Sequence, residues 1–159
     1  MTGRGPTDHI PYIQVVVGEL EALDIRTSGL VDRARDPYFP SWHPLHDASL
    51  QDSRATAIII SNWAAWPWCE NDDMDAEVMW DEECGWTVRK SSDPGSHGMT
   101  YVHWDLGLVL VPDPTVVALR VEEIFNTKGN AYLAHAHRRR DAASYDPQLE
   151  MTLAYYRPT

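Results

Sequence analysis

The chain has 159 residues, of which 43% are hydrophobic and 23% charged, as expected for a globular domain with a buried core. Its formal net charge of −11 argues against direct nucleic-acid binding by the main domain, because an acidic surface repels phosphates. No run of about 18 apolar residues is present, and the first residues lack the apolar core of a signal peptide. We therefore expect a cytoplasmic protein that does not contact the membrane.

The first predicted element is an amphipathic helix from about Pro11 to Leu23. Apolar side chains recur there at helical spacing, namely Ile13, Val16, Val17, Leu20 and Leu23. The following stretch, from Ile25 to Val31, is compatible with a short strand. A long proline-punctuated loop comes next and carries Trp42, His43 and His46. Loops of this length inside compact domains are often functional.

The middle of the chain predicts strands. Residues 55–61, with the sequence ATAIIIS, form a continuous apolar run that predicts a central strand. Two further strands form a hairpin around Gly85, because glycine adopts a positive φ at little cost and suits the last position of a three-residue loop. A loop of odd length pairs even-numbered residues with each other, which places one set on a buried face. This set is Val78, Trp80, Trp86 and Val88.

A fifth strand and a closing helix are predicted next. Residues 100–106 alternate, with Val102, Trp104 and Leu106 on the core side. Asp113 as N-cap and Pro114 at the first helical position then predict a helix to about Asn126. Its side chains expected to face the sheet are Val117, Val121, Ile124 and Phe125.

The last segment, from Pro147 to Tyr156, is ambiguous. The preceding aspartate resembles a helix N-cap, whereas the alternation of apolar residues resembles a strand. Both alternatives stay open from the sequence.

This order of elements predicts an α+β fold. We expect a mostly antiparallel sheet of four to five strands, with an N-terminal and a later helix packed on one face, plus a C-terminal extension. The excess of acids reverses to an excess of bases from Lys128 onward, which suggests a separate segment. We therefore divide the chain into a single α+β domain at residues 1–127 and a basic C-terminal extension at residues 128–159.

Four short motifs stand in an order that resembles a known family. They are PYI at residues 11–13, AII at 57–59, the hairpin VMWDEECGW at 78–86 and VPDP at 111–114. Over residues of about 10–125 the chain is similar to a family of small actinobacterial proteins known only as a domain of unknown function. The resemblance implies a cytoplasmic bacterial protein and supplies no catalytic residues. Residues 63–75 and everything after Lys128 depart from the family pattern.

An acidic run contains eight acids and no base. Its members are Glu70, Asp72, Asp73, Asp75, Glu77, Asp81, Glu82 and Glu83. A solvated, solubilising surface is the simplest interpretation, and a rim that attracts a basic partner is the functional one. An EF-hand loop is excluded, because Val78 and Cys84 stand where a loop begun at Asp73 needs Gly and Glu. Cys69 and Cys84 are expected to be free thiols in a reducing cytosol, although their separation would also permit a disulfide between the hairpin and the segment before it.

The seven tryptophans are the most unusual feature of the composition. Trp80, Trp86 and Trp104 are explained as core residues. Four others stand in or beside loops, namely Trp42, Trp63, Trp66 and Trp68. Aromatic side chains in loops often line small-molecule pockets or form interface hot spots. They can equally cover the open face of a sheet.

Two sets of residues are candidates for catalysis or metal binding. Tyr101, His103 and Asp105 share one face of a strand, and a histidine beside a carboxylate and a phenol can act in general acid–base catalysis. An exposed polar sheet face is the simpler interpretation. His43 and His46 are three residues apart and suit a divalent metal, although two loop histidines in solvent explain them as well.

Two functions follow from these features. The leading hypothesis is a non-catalytic binding or regulatory module that recognises a small ligand or a basic protein partner through the tryptophan-rich loops and the acidic rim. The alternative is a small isomerase, cyclase or hydrolase of specialised metabolism that uses His103, Asp105 and Tyr101. No phosphate-binding glycine loop and no dinucleotide fingerprint is present, so we expect no organic cofactor in either case.

Overall fold

The computed structural model describes residues 7–35, 53–61, 76–92, 100–127, 139–141 and 143–159. Within these ranges the chain forms five β-strands and three α-helices. The strands are β1 (Thr27–Asp32), β2 (Ala55–Ile60), β3 (Ala76–Asp81), β4 (Gly85–Ser92) and β5 (Thr100–Asp105). The helices are α1 (Ile10–Ala22), α2 (Pro114–Thr127) and α3 (Pro147–Ala154), and a 3₁₀ turn (Arg33–Arg35) follows β1.

The five strands form one antiparallel sheet in the order β1-β2-β3-β4-β5, so each strand pairs with its neighbour in sequence. The predicted α+β class is confirmed, with α1 and α2 packed against the sheet and a short C-terminal helix. None of the described helices is long and apolar enough to cross a membrane.

The β3–β4 hairpin confirms that even-numbered residues pair with each other and share one buried face. Val78 lies opposite Val88, and the two tryptophans of the hairpin lie opposite each other. Asp81 pairs with Gly85, so the three-residue loop is residues 82–84, and Gly85, expected at the last loop position, is instead the first residue of β4. Gly85 has a φ of 80°, a conformation in which any residue with a side chain is strained. This local chemistry fixes which side chains of the hairpin face the helices.

The core lies between the sheet and the helices, and its large polar aromatics have hydrogen-bond partners. The Trp86 Nε1–H donates to the Tyr12 hydroxyl oxygen at 3.0 Å. That hydroxyl donates in turn to the Pro112 carbonyl at 2.8 Å. The Trp80 Nε1–H donates to the Leu110 carbonyl at 2.7 Å. Burying these rings therefore removes apolar surface from water without stranding a donor.

Helix α2 begins as predicted. The Thr115 N–H donates to the Asp113 carboxylate at 2.9 Å, and the helix starts at Pro114. It ends at Thr127, one residue beyond the expected Asn126. All four residues expected to face the sheet are buried, namely Val117, Val121, Ile124 and Phe125.

The ambiguous last segment is a helix. The Asp146 carboxylate accepts hydrogen bonds from two backbone amides of the first turn, at 3.0 and 3.2 Å. Leu149 and Leu153, four residues apart, join the main core, whereas Met151 between them is 62% exposed. A strand would have put all three on one face. The extension thus contributes a helix to the core, and the domain boundary expected at residue 128 stays a prediction.

Replacing Leu149 with alanine tests whether α3 belongs to the cooperative core. We expect the free energy of unfolding to fall by about 2–5 kcal/mol, because a buried leucine is lost and a cavity remains. Met151→Ala, on the exposed side of the same helix, is the control and should change the value by less than about 0.5 kcal/mol. Urea denaturation measures both variants. Equal, small effects would show that α3 lies outside the folding unit.

Candidate functional site

Across the central strands β2, β3 and β4, the face of the sheet that points away from α1 and α2 is also buried. Strand alternation places on it Ala57, Glu77, Met79, Asp81, Thr87, Arg89, His103 and Asp105, which we call the second sheet face. Its four carboxylate and guanidinium side chains belong to residues that are between 0% and 8% exposed. Charged groups are almost never buried to this degree unless they are paired.

One row across the second sheet face is ionic. Glu77 of β3 lies opposite Arg89 of β4, which lies opposite His103 of β5. The Glu77 Oε1 is 2.9 Å from the Arg89 Nη2, and its Oε2 is 2.5 Å from the Arg33 Nη2. One buried carboxylate therefore lies between two guanidiniums, and one of them comes from the 3₁₀ turn after β1. These ion pairs offset part of the cost of removing the charges from water.

A second ionic contact lies at the hairpin end of the same face. The Asp105 Oδ1 accepts the Gly107 N–H at 2.7 Å and is 3.0 Å from the Arg139 Nη2. The Arg139 Nη1 donates to the Cys84 carbonyl, and the Arg139 backbone N–H donates to the Glu83 carbonyl at 2.6 Å. One arginine of the C-terminal extension thus binds the end of β5 and the β3–β4 loop together.

Cys84 is a free, buried thiol in the β3–β4 loop. Burial raises its pKa far above the usual range, and the neighbouring carboxylates of Asp81 and Glu83 raise it further. The thiol therefore stays protonated at neutral pH and is a poor nucleophile. The Asp81 carboxylate accepts the backbone N–H groups of Glu83 and Cys84 at 3.0 and 2.8 Å, so this loop is held by local hydrogen bonds. Cys69 lies outside the described residues.

Half of the acidic run is not a solvated surface. Glu77, Asp81, Glu82 and Glu83 are buried. The Glu82 Oε2 is 2.6 Å from the Arg54 Nη2 and 3.0 Å from the Arg140 Nη1. Arg54 also contacts Glu150 of α3, with 2.6 Å between Nη2 and Oε1. The expectation of a solvated run is wrong for these four acids, since all four are buried, and arginines distant in sequence neutralise Glu77 and Glu82. The other four acids lie outside the described residues.

His9 connects the start of α1 to the sheet. Its Nε2 is 2.6 Å from the Thr56 hydroxyl, and its ring stacks on Trp80 with 5.2 Å between centroids. Burial lowers the pKa of His9 below its ordinary value of 6.5, and the Arg54 guanidinium lowers it further, against opposing contributions from nearby acids. The neutral imidazole is therefore the form that fits this position.

The predicted catalytic set falls on the second sheet face. His103 and Asp105 both point there from β5, and Tyr101 shares their register, although only its backbone is described. Asp105 is paired with Arg139, and His103 lies across from Arg89. Their assignment as a joint acid–base site stays a prediction.

The remaining predicted site residues lie outside the described residues. These are Trp42, Trp63, Trp66 and Trp68 for ligand binding and His43 and His46 for a metal. Within the described ranges, no group of three His, Cys, Asp or Glu side chains is arranged to hold a metal ion.

Sequence reasoning did not identify Arg33, Arg89 and Arg139 as parts of a site. A signal existed for one of them, since the hairpin register that pairs Val78 with Val88 also places Glu77 opposite Arg89. No comparable signal marks the other two, because they reach their partners across 44 and 34 positions of the chain.

Comparison with protein families now assigns the chain. A family sequence model matches residues 12–123. The chain belongs to DUF6292, a family of unknown function. The match confirms the resemblance expected from the motifs. It contains nearly all of α1, the whole sheet and most of α2, and it ends before Arg139 and α3. No curated protein and no solved structure matches this DUF6292 protein.

Replacing Glu77 with glutamine tests the ionic row. We expect the free energy of unfolding to fall by about 3–5 kcal/mol, because two buried guanidiniums lose their shared carboxylate. Glu123→Gln, which changes an exposed acid of α2 in the same way, should cost less than about 0.5 kcal/mol. Guanidinium chloride would screen the ion pairs, so urea denaturation is the appropriate measurement. A cost for Glu77→Gln as small as that of the control would contradict the pairing.

The low pKa of His9 predicts a pH dependence of stability. As pH falls below about 6.5, the unfolded chain protonates His9 while the folded chain still holds it neutral, so stability is lost in that window. His9→Gln should flatten the curve of unfolding free energy between about pH 7 and 5.5. Glu150, whose pKa is lowered by Arg54 and Thr7 despite the opposing effect of burial, acts only at lower pH. An unchanged slope in the variant would remove His9 as the cause.

Proposed function

We propose that this DUF6292 protein is a non-catalytic binding module for a small ligand. The proposed site combines the tryptophan-rich connection before β3 with the adjoining row Glu77, Arg89 and His103. The observation that carries the proposal is the pairing of charges on the second sheet face. Glu77 is neutralised by Arg33 and Arg89, which suits a preorganised surface better than a reacting acid or base.

The alternative of a small enzyme has less support from the described contacts. A general base must be able to take up a proton in its working position. Asp105, the carboxylate expected to assist His103, is engaged by Arg139 and by the Gly107 amide. The Cys84 thiol is protonated and buried. Neither group is therefore poised for proton transfer or nucleophilic attack.

A small ligand is favoured over a basic protein partner for a related reason. Recognition of a basic partner would need acids at the surface with unsatisfied charge. Glu77, Glu82 and Glu83 are buried, and the first two form ion pairs with arginines of the chain itself. The part of the acidic run that the structure describes therefore offers no rim to an outside cation.

Chain topology indicates which tryptophans to test first. The connection from Ser61 to Ala76 contains Trp63, Trp66 and Trp68 and joins β3 directly before Glu77. Trp42 belongs to the connection at the opposite end of β2, after the 3₁₀ turn. Indole rings bind planar ligands by stacking, so aromatic and heteroaromatic compounds are the appropriate first probes.

A thermal-shift screen tests the proposal. The probes are indole, tryptophan, a set of nucleosides and riboflavin, each added to the full chain. We expect at least one to raise the melting temperature saturably, because a ligand present at 100 times its Kd stabilises the folded state by about 2.7 kcal/mol. The double variant Trp66→Ala/Trp68→Ala should then bind that compound at least tenfold more weakly in calorimetry.

Tyr155→Ala is the matched control, since it removes an aromatic ring that is 83% exposed at the end of α3. Its binding should equal that of the unchanged chain. Equal affinity in the tryptophan double variant would contradict the proposed site. Conversion of a probe that stops in His103→Ala would contradict the non-catalytic assignment and favour the enzyme.

A further inference from the structure

The Arg139 guanidinium occupies a site whose acceptors come from two different elements. One Nη reaches the Asp105 carboxylate, at 3.0 Å from Oδ1 and 3.3 Å from Oδ2. The other Nη donates to the Cys84 carbonyl in the β3–β4 loop. Asp105 is 2% exposed and Cys84 is fully buried. The guanidinium is therefore held against buried acceptors at the end of β5, while the Arg139 side chain as a whole stays 23% exposed.

The acceptors and the occupant belong to different parts of the chain. Asp105 and Cys84 lie within residues 12–123, the part matched by the DUF6292 family model, whereas Arg139 lies beyond it. The acceptors are also held without Arg139. The Gly107 amide donates to Asp105, and the Asp81 carboxylate fixes the β3–β4 loop through the amides of Glu83 and Cys84. Both acceptors are thus supplied by the family domain, and the C-terminal extension supplies the guanidinium.

We propose that the end of β5 and the β3–β4 loop form a guanidinium-binding site, which this chain fills with its own Arg139. The ligand class of the site is a guanidinium group, carried either by a small compound or by an arginine side chain. In this chain the C-terminal extension acts as a tethered ligand. Tethering raises the effective concentration of Arg139 at the site and keeps external guanidinium groups out. The inference does not rest on the proposed function, which concerns the tryptophan-rich connection.

The geometry of the site discriminates between the guanidinium of arginine and the ammonium of lysine. A guanidinium is planar and carries donors on two terminal nitrogens that point to separate acceptors. Here those nitrogens reach a carboxylate on one element and a carbonyl on another. An ammonium is a single compact centre, so its donors do not reproduce the separation and planar geometry of the two guanidinium nitrogens. The site should therefore prefer guanidinium over ammonium at equal charge.

Chemical rescue of a full-length variant tests the site. We expect Arg139→Ala to lower the melting temperature by roughly 5–10 °C, because Asp105 loses its buried counter-ion. Millimolar ethylguanidinium should restore at least half of this loss in a saturable manner, whereas ethylammonium should restore little. The unchanged chain should show no saturable shift with either compound, since Arg139 already occupies the site.

Two further variants make the test specific. Arg139→Ala/Asp105→Asn should lose the rescue by ethylguanidinium, because the carboxylate that binds it has gone. Arg26→Ala removes an arginine that is exposed and pairs only weakly with Asp24, and ethylguanidinium should leave its melting temperature unchanged. Equal effects of the two cations, equal shifts in the unchanged chain, or rescue that survives Asp105→Asn would each overturn the proposal.

Refolding yield is the readout if Arg139→Ala does not fold alone. The variant is then diluted from urea into buffer containing ethylguanidinium, ethylammonium or neither. Recovery of folded protein with ethylguanidinium alone supports the site. Failure to recover folded protein under all three conditions, or equal recovery with both cations, contradicts it.

Discussion

The fold depends on a carboxylate that is buried in the middle of a sheet. Glu77 lies on the central strand, between the guanidiniums of Arg33 and Arg89, on the face opposite the helices. A single unpaired charge at this position would cost several kcal/mol, so the two arginines are a condition for burying this face. The apolar core on the face that packs against the helices needs no ion pairs. The sheet is therefore buried by two different means, apolar packing on one side and ion pairs on the other.

The need to pair buried charges also explains why acids and bases are distributed unevenly along the chain. The acids near the β3–β4 hairpin have basic partners from three other regions, namely the 3₁₀ turn, the start of β2 and the C-terminal extension. Arg139 and Arg140 neutralise Asp105 and Glu82, which lie in the preceding domain. Two of the five bases from Lys128 onward are thus paired with acids inside the molecule. This pairing leaves the tryptophan-rich connections as the more promising place to look for a ligand.

Much of the fold could be predicted because its signals lie within a few residues of one another. Contacts between residues far apart in the sequence could not be predicted. Gly85 and the odd length of the hairpin loop indicated which residues share a face, and the Asp113 cap marked the start of α2, because both signals lie within a few residues. The four described acids of the run were misinterpreted as solvated, because composition counts charges and does not show which side chains are buried. Arg33 and Arg139 could not be placed, since nothing local indicates a contact 44 or 34 residues away. Even so, strand alternation put His103 and Asp105 on one face.

A double-mutant cycle between Glu77 and Arg89 tests most directly whether the second sheet face is a buried ionic layer. The cycle compares Glu77→Gln, Arg89→Met and the double variant by urea denaturation. If the two side chains are buried and depend on each other, we expect a coupling free energy of about 1–3 kcal/mol. The double variant should then lose less unfolding free energy than the two single variants lose together. Losses that add to within about 0.5 kcal/mol would show that the two side chains are solvated and independent, and would contradict the buried ionic layer.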